Sequence, residues 1–176
     1  MRKVILAAAV AALLPAVASA QDTRPAIDAY FGVLGGGDGF TNRSDFGTVG
    51  NRGAMNGSLV EAVGGVNIPL GGAFFVGGEG NVAKGIKDID WEYGARGRVG
   101  LMTGSTGMIF LTAGHEWVNG RRGFANHDNW TYGGGVEVSP AGLSSGFGPR
   151  SPRLRIQVET YDFQSIRPMA GIIFGF

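Results

Sequence analysis

His115 and His127 are the first side chains to consider as acid–base groups, because each is followed by a carboxylate, Glu116 and Asp128 respectively. An imidazole oriented by a carboxylate is the arrangement of a general base. An extended backbone, however, sends His115 and Glu116 to opposite faces. Two histidines alone are a poor metal set, and the chain has no cysteine to act as ligand, nucleophile or disulfide partner. The run Gly35-Gly36-Gly37-Asp38-Gly39 has the glycines of a phosphate loop without the Lys-Ser/Thr and helix that such a loop needs, so it reads as a flexible loop. Catalytic, cofactor-binding and metal-binding residues are accordingly expected to be absent, and the chain is read as a non-enzyme.

The other reactive groups are charges that recur at every second position. Asp28, Glu61, Glu79, Glu92, Glu116, Glu137 and Glu159, with Arg96, Arg98 and Arg155, fall on one face of their segments. Apolar and aromatic residues fall on the other. Val60, Ala62, Val66 and Ile68 oppose Glu61 and Asn67; Trp91, Tyr93, Val99 and Leu101 oppose Glu92, Arg96 and Arg98; Leu154, Ile156 and Val158 oppose Arg155, Gln157 and Glu159. A period of two is the signature of β-strands with unlike faces. Eight such segments follow one another, beginning with Ile27, Ala29, Phe31 and Val33 and ending with Ala170, Ile172, Phe174 and Phe176. Pro69-Leu70-Gly71-Gly72 and the stretch Thr103–Gly107 read as tight turns. Longer polar connections are expected from about Gly35 to Gly57 and from Asn119 to Asn129, with a shorter one around Gly85–Asp88. The stretch Ser139–Ser151 fits this scheme worst, being long and carrying Pro140 and Pro149.

Composition decides which face points out. Of 176 residues 33 are glycine, 44% are apolar and 16% are charged. A water-facing exterior would be rich in Lys and Glu, whereas the charged face here is mostly Gly, Ala, Thr, Asn and single charges. Phe74, Trp91, Tyr93, Trp117, Trp130, Tyr132 and Phe174 gather near strand ends on the apolar face, as aromatic girdles do at the two interfaces of a bilayer. About ten residues per strand, tilted by about 40°, span roughly the 25 Å apolar band of an outer-membrane barrel. Backbone groups in lipid must be paired within the protein, so the sheet must close. The expected fold is all-β, an eight-stranded antiparallel up-and-down transmembrane β-barrel with the charges inside, paired as Glu79 with Arg96 or Arg98 and Glu137 with Arg155. Seven inward acids against three inward bases leave a narrow, cation-favouring pore as the alternative to a plugged lumen.

Residues 1–20, MRKVILAAAVAALLPAVASA, have a basic start, an apolar stretch and a small-x-small ending, so they read as a signal peptide, leaving 21–176 as the barrel domain. Fifteen Lys and Arg against 14 Asp and Glu, with no basic run, argue against a nucleic-acid partner. Arg43, Arg52, Arg121 and Arg122 in the expected outer loops, beside Asp38, Asp45 and Asp128, are candidates to grip lipopolysaccharide phosphates.

The signal-like start, the eight alternating segments and the ending Met169-Ala170-Gly171-Ile172-Ile173-Phe174-Gly175-Phe176 together resemble the small eight-stranded outer-membrane barrels of the OmpA transmembrane or opacity-protein type. The resemblance implies a cell outer-membrane location with periplasmic termini and a role in envelope integrity or surface adhesion. It also implies that Ala170, Ile172, Phe174 and Phe176 form a terminal signal read by the barrel-assembly machinery, with Pro168 a departure from that pattern. Lipid and lipopolysaccharide are the implied partners, with a surface ligand or host partner reached through the loops. Lipid-modifying barrel enzymes keep catalytic groups near the loop rim, but no serine sits two residues after His115 or His127, as it does in the lipid A deacylases.

Overall fold

A computed structural model describes residues 27–103, 107–139 and 152–176. The expected leader and the stretch 140–151 lie outside the described residues. Eight strands follow in order: β1 Asp28–Phe40, β2 Asn56–Gly71, β3 Phe74–Lys87, β4 Ile89–Thr103, β5 Gly107–Gly120, β6 His127–Val138, β7 Pro152–Tyr161 and β8 Ser165–Gly175. Each pairs antiparallel with its neighbour in sequence, and β8 pairs back to β1, so the sheet is a closed barrel. Closure leaves no unpaired edge, which an open eight-stranded sheet would expose twice.

The register fixes the tilt. From Asp28 the cross-strand partners run through Asn67, Gly77, Arg98, Thr112, Gly133 and Glu159 to Arg167. The β1–β8 pairs on either side, Gly36 with Met169 and Gly39 with Ile166, set Arg167 level with Asp38, ten residues above the start. Such a shear in eight strands tilts them by about 40°. The interior is then narrow enough for side chains to fill.

Alternation decides what fills it. Ile172, 44% exposed, and Val158, 50% exposed, lie outside, whereas Glu79, Arg96 and Glu159 are buried. The girdle residues Phe74, Trp91, Tyr93, Trp117, Trp130 and Phe174 are exposed on the outer wall, and Tyr132 is half-buried there. The ten residue steps from Trp91 to Leu101 climb about 25 Å along the axis at this tilt.

Several connections are shorter than the sequence reading expects, because strands absorb them. Gly35–Gly39 is not a flexible loop: it continues β1 to Phe40, and the β1–β2 connection is residues 41–55, with one 3-10 turn at Gly50–Arg52. Glycine there permits close approach, since a Cβ on Gly36 would lie 2.1 Å from the Pro168 carbonyl oxygen. Only Asp88 separates β3 from β4, and residues 121–126 join β5 to β6. The β7–β8 hairpin turns through Asp162 and Phe163, both with positive φ, and closes with Gln164 N–H donating to Tyr161 O at 2.8 Å.

Candidate functional site

The charges enclosed by the barrel form one connected network, and among the described residues no other constellation joins as many of the residues that the sequence singles out. Glu79 on β3 is its centre: it accepts from Arg96 Nε at 2.7 Å, Arg155 Nη1 at 2.5 Å and the Tyr30 hydroxyl at 2.7 Å, with Arg98 Nη1 at 3.4 Å. Tyr30 in turn accepts from Arg98. Glu137 on β6 lies 2.7 Å from Arg98, 2.8 Å from Arg155 and 3.1 Å from Arg153. The Arg98 guanidinium also lies 4.0 Å over the Phe110 ring, a geometry that helps hold a cation away from water. Arg153 closes this group through Asp28 at 2.8 Å, and Asn67 donates to the same carboxylate at 2.9 Å.

Nearer the loop rim the stoichiometry changes. Arg96 reaches Glu159 at 2.6 Å and Glu61 at 3.3 Å. Arg167 on β8 faces Glu116 at 2.8 Å, Glu92 at 3.2 Å, and Glu61 and Glu159 at 3.3 Å each. Asn81 donates to Glu116 at 2.9 Å. Asp38 is buried inside β1, so it belongs with these carboxylates and not with the outer loops. Three arginines match Asp28, Glu79 and Glu137 in the turn-side half, while Arg96 and Arg167 face Asp38, Glu61, Glu92, Glu116 and Glu159 in the loop-side half.

All ten sequence-selected charges therefore point inward, and Glu79 meets both Arg96 and Arg98. Arg153 and Arg167 were missed, so the inward count of three bases is too low. The signal was the alternation itself: each sits two residues before a residue of the inward face, but the alternating segments read from the sequence begin only at Leu154 and at Ala170, after both arginines. The four loop arginines are exposed and not gathered into one grip. Arg121 pairs with Asp90, Arg122 lies 3.8 Å from Asp88, and Arg52 donates to the Arg122 carbonyl at 2.5 Å.

Apolar layers close the lumen above and below this network. At the loop rim Phe40, Phe46 and Tyr161 pack ring against ring at 4.7–5.8 Å, and Met55, Ile89, Val118 and Phe124 are buried with them. Phe46 and Met55 come from the 41–55 connection, which folds across the mouth. At the turn rim Phe75, Met108 and Phe110 form the second layer. The histidines lie apart from each other: His127 packs edge-on against Phe46 at 5.0 Å, while His115 is on the outer wall between Trp117 and Trp130, 3.4 Å from Asp128 rather than beside Glu116. Among the described residues no group of three or more His, Cys, Asp or Glu is placed to hold a metal ion.

No protein-family model matches this sequence, and no curated protein does. Solved structures do match. A designed transmembrane β-barrel superposes with a TM-score of 0.51 at 13% identity, covering 89% of this chain and all of that one. The chain shares the fold of small transmembrane β-barrels. Ail, the attachment invasion locus protein of Yersinia pestis, gives a TM-score of 0.53 at 11% identity, with 86% of this chain and 98% of that chain covered. Neisserial surface protein A gives 0.50 at 13% identity over the same shares. At 11–13% identity the likeness is one of fold, resting on strand number and closure.

Proposed function

We propose that the chain is an integral outer-membrane barrel with a sealed lumen, serving envelope integrity and surface contact and carrying out no catalysis. The observation that supports this most is the inversion of its two faces: Val, Ile, Leu and aromatic side chains clothe the outside, and a connected ion-pair network occupies the axis. An outer wall of that kind is stable against acyl chains and a liability in water. The aromatic residues at both ends of the wall match the spacing of two membrane interfaces. Residues 1–20 then serve as the export signal, and both termini lie on the periplasmic side, with Phe176 and the alternate residues before it as the assembly signal.

A passive channel is the weaker reading, because the network is buried and an apolar layer lies at each rim. An enzyme is weaker still, since no serine sits two residues after His115 or His127. The surface role draws on the exposed loop rim, where Arg43, Arg52, Arg121 and Arg122 are available to phosphates or to a partner. Ail is named for attachment and invasion, which makes adhesion the form of surface contact to test first.

Membrane fractionation with urea washing, followed by electrophoresis with and without boiling, tests the reading directly. The expected result is protein retained in the outer-membrane fraction, with a faster-migrating unboiled band. Soluble protein in the periplasmic fraction overturns it. Unchanged lipid A mass after incubation with the purified protein is the expected outcome for the non-enzymatic role.

A further inference from the structure

The outer wall is not uniform around the barrel at the level of the loop-side aromatics. All three tryptophans of the chain, Trp91, Trp117 and Trp130, are on β4, β5 and β6. The opposite sector, formed by β8, β1, β2 and β3, carries no aromatic side chain at that level. It has instead a groove of about 520 Å³ whose floor includes Gly39, Gly57 and Ser58, with the buried Asp38 also lining it, and whose edges are Ile86 on β3 and Ile166 and Pro168 on β8. Ile86 and Ile166 are among the most exposed apolar side chains of the molecule, so they stand as walls on either side of a low floor. A Cβ built on Gly39 meets nothing within 4 Å, so that glycine is not required by packing within the barrel.

Lys87 is at the upper end of this groove, and its backbone has φ 88°. Glycine adopts that conformation without strain, and a side chain there is uncommon. In a chain with 33 glycines a lysine nevertheless occupies the turn. Asn56 Oδ1 accepts from its ammonium, which fixes the charge at the groove mouth and leaves two further N–H donors.

We propose that this groove is a binding site for one anionic, phosphate-headed lipid of the loop-side leaflet. An acyl chain lies on the glycine floor between Ile86 and Ile166, and the phosphate accepts hydrogen bonds from Lys87. The site takes a lipid in preference to a protein segment because its apolar trough ends in a single cation at the height where headgroups begin. It rests on the outer-membrane reading above and adds to it a residue-level site.

The test uses the full mature chain, purified in mild detergent and titrated with phosphatidylglycerol or phosphatidylcholine, with bound lipid read by native mass spectrometry. The variants are Gly39→Leu, which fills the trough, Lys87→Gln, which removes the charge, and Gly78→Leu. Gly78 lies on the outer wall away from the groove, and its added side chain also meets open space. The expected result is one retained phosphatidylglycerol per barrel, at least tenfold weaker in Gly39→Leu and unchanged in Gly78→Leu. Lys87→Gln is expected to bind the two lipids equally. No retained lipid on the wild type, equal loss in both leucine variants, or equal binding of the two headgroups by the wild type overturns the proposal. A protein that fails to migrate as a folded barrel when unboiled would instead count against the membrane reading itself.

Discussion

Glu79 is the residue on which the interior depends most, since three arginines and the Tyr30 hydroxyl converge on its two oxygens. Replacing one member of a buried ion pair costs about 3–5 kcal/mol, because the partner is left charged and unmatched. Glu79→Gln is therefore expected to lower the unfolding free energy in lipid vesicles by that order, measured by urea titration. Tyr30→Phe removes two hydrogen bonds, one donated to Glu79 and one accepted from Arg98, and keeps the ring beside Arg98, so a loss of about 2 kcal/mol is expected. Equal losses in the two variants would show that charge pairing at Glu79 is not what holds the interior. The Glu79 and Glu137 pairings were legible in the sequence because alternation and strand order fix which side chains meet across neighbouring strands. Arg153 and Arg167 were not, since the last two alternating segments read from the sequence begin at Leu154 and Ala170, and a proline lies beside each arginine. Pro152 opens β7, and Pro168 faces outward where the β1–β8 ladder skips a step, so neither removes the arginine next to it from the inward face.

The last strand carries two separable requirements. Closure of the β1–β8 seam needs Gly171, where an added Cβ would lie 2.1 Å from the Val33 carbonyl oxygen and 2.6 Å from the Leu34 Cα. Gly171→Val is expected to abolish the compact unboiled band, while Gly78→Val, whose Cβ meets nothing within 4 Å, is expected to leave it intact. Assembly is a different matter: Phe176 packs outside the seam, tilted against Phe31 at 6.2 Å, and is 66% exposed. Phe176→Asp is expected to reduce membrane-inserted protein in cells while purified protein still refolds in detergent; normal insertion would refute the terminal-signal reading. Sequence pattern alone separates neither glycine, since both occur in alternating strands. The same limit explains the misread Gly35–Gly39: a glycine run looks like a loop until the facing strand shows how closely its backbone approaches. Loop lengths were the least legible feature for a related reason, because strands that rise beyond the aromatic level no longer need apolar residues outside and lose their pattern there.

Over the whole molecule two kinds of closure act in series, apolar layers at the rims and an ionic layer between them. The rim layers are buried apolar side chains, and in the ionic layer Glu79, Glu137, Arg96 and Arg167 each meet several partners. Planar-bilayer recordings on the purified barrel are expected to show no stepwise conductance. Opening only the loop-side rim, with Phe46→Ala, should leave that result unchanged, because Arg167 still bridges Glu92, Glu116 and Glu159 below it. Arg167→Ala alone should also stay silent, with the rim intact. The double variant removes both, and the loop-side half then presents five carboxylates against Arg96 alone. No stepwise conductance is expected in the double variant either, because the Glu79 and Glu137 pairings and the Phe75, Met108 and Phe110 layer still close the turn-side half. Stepwise conductance in Phe46→Ala alone would mean that the ionic layer does not seal, and the plugged-barrel account of the lumen would then fail.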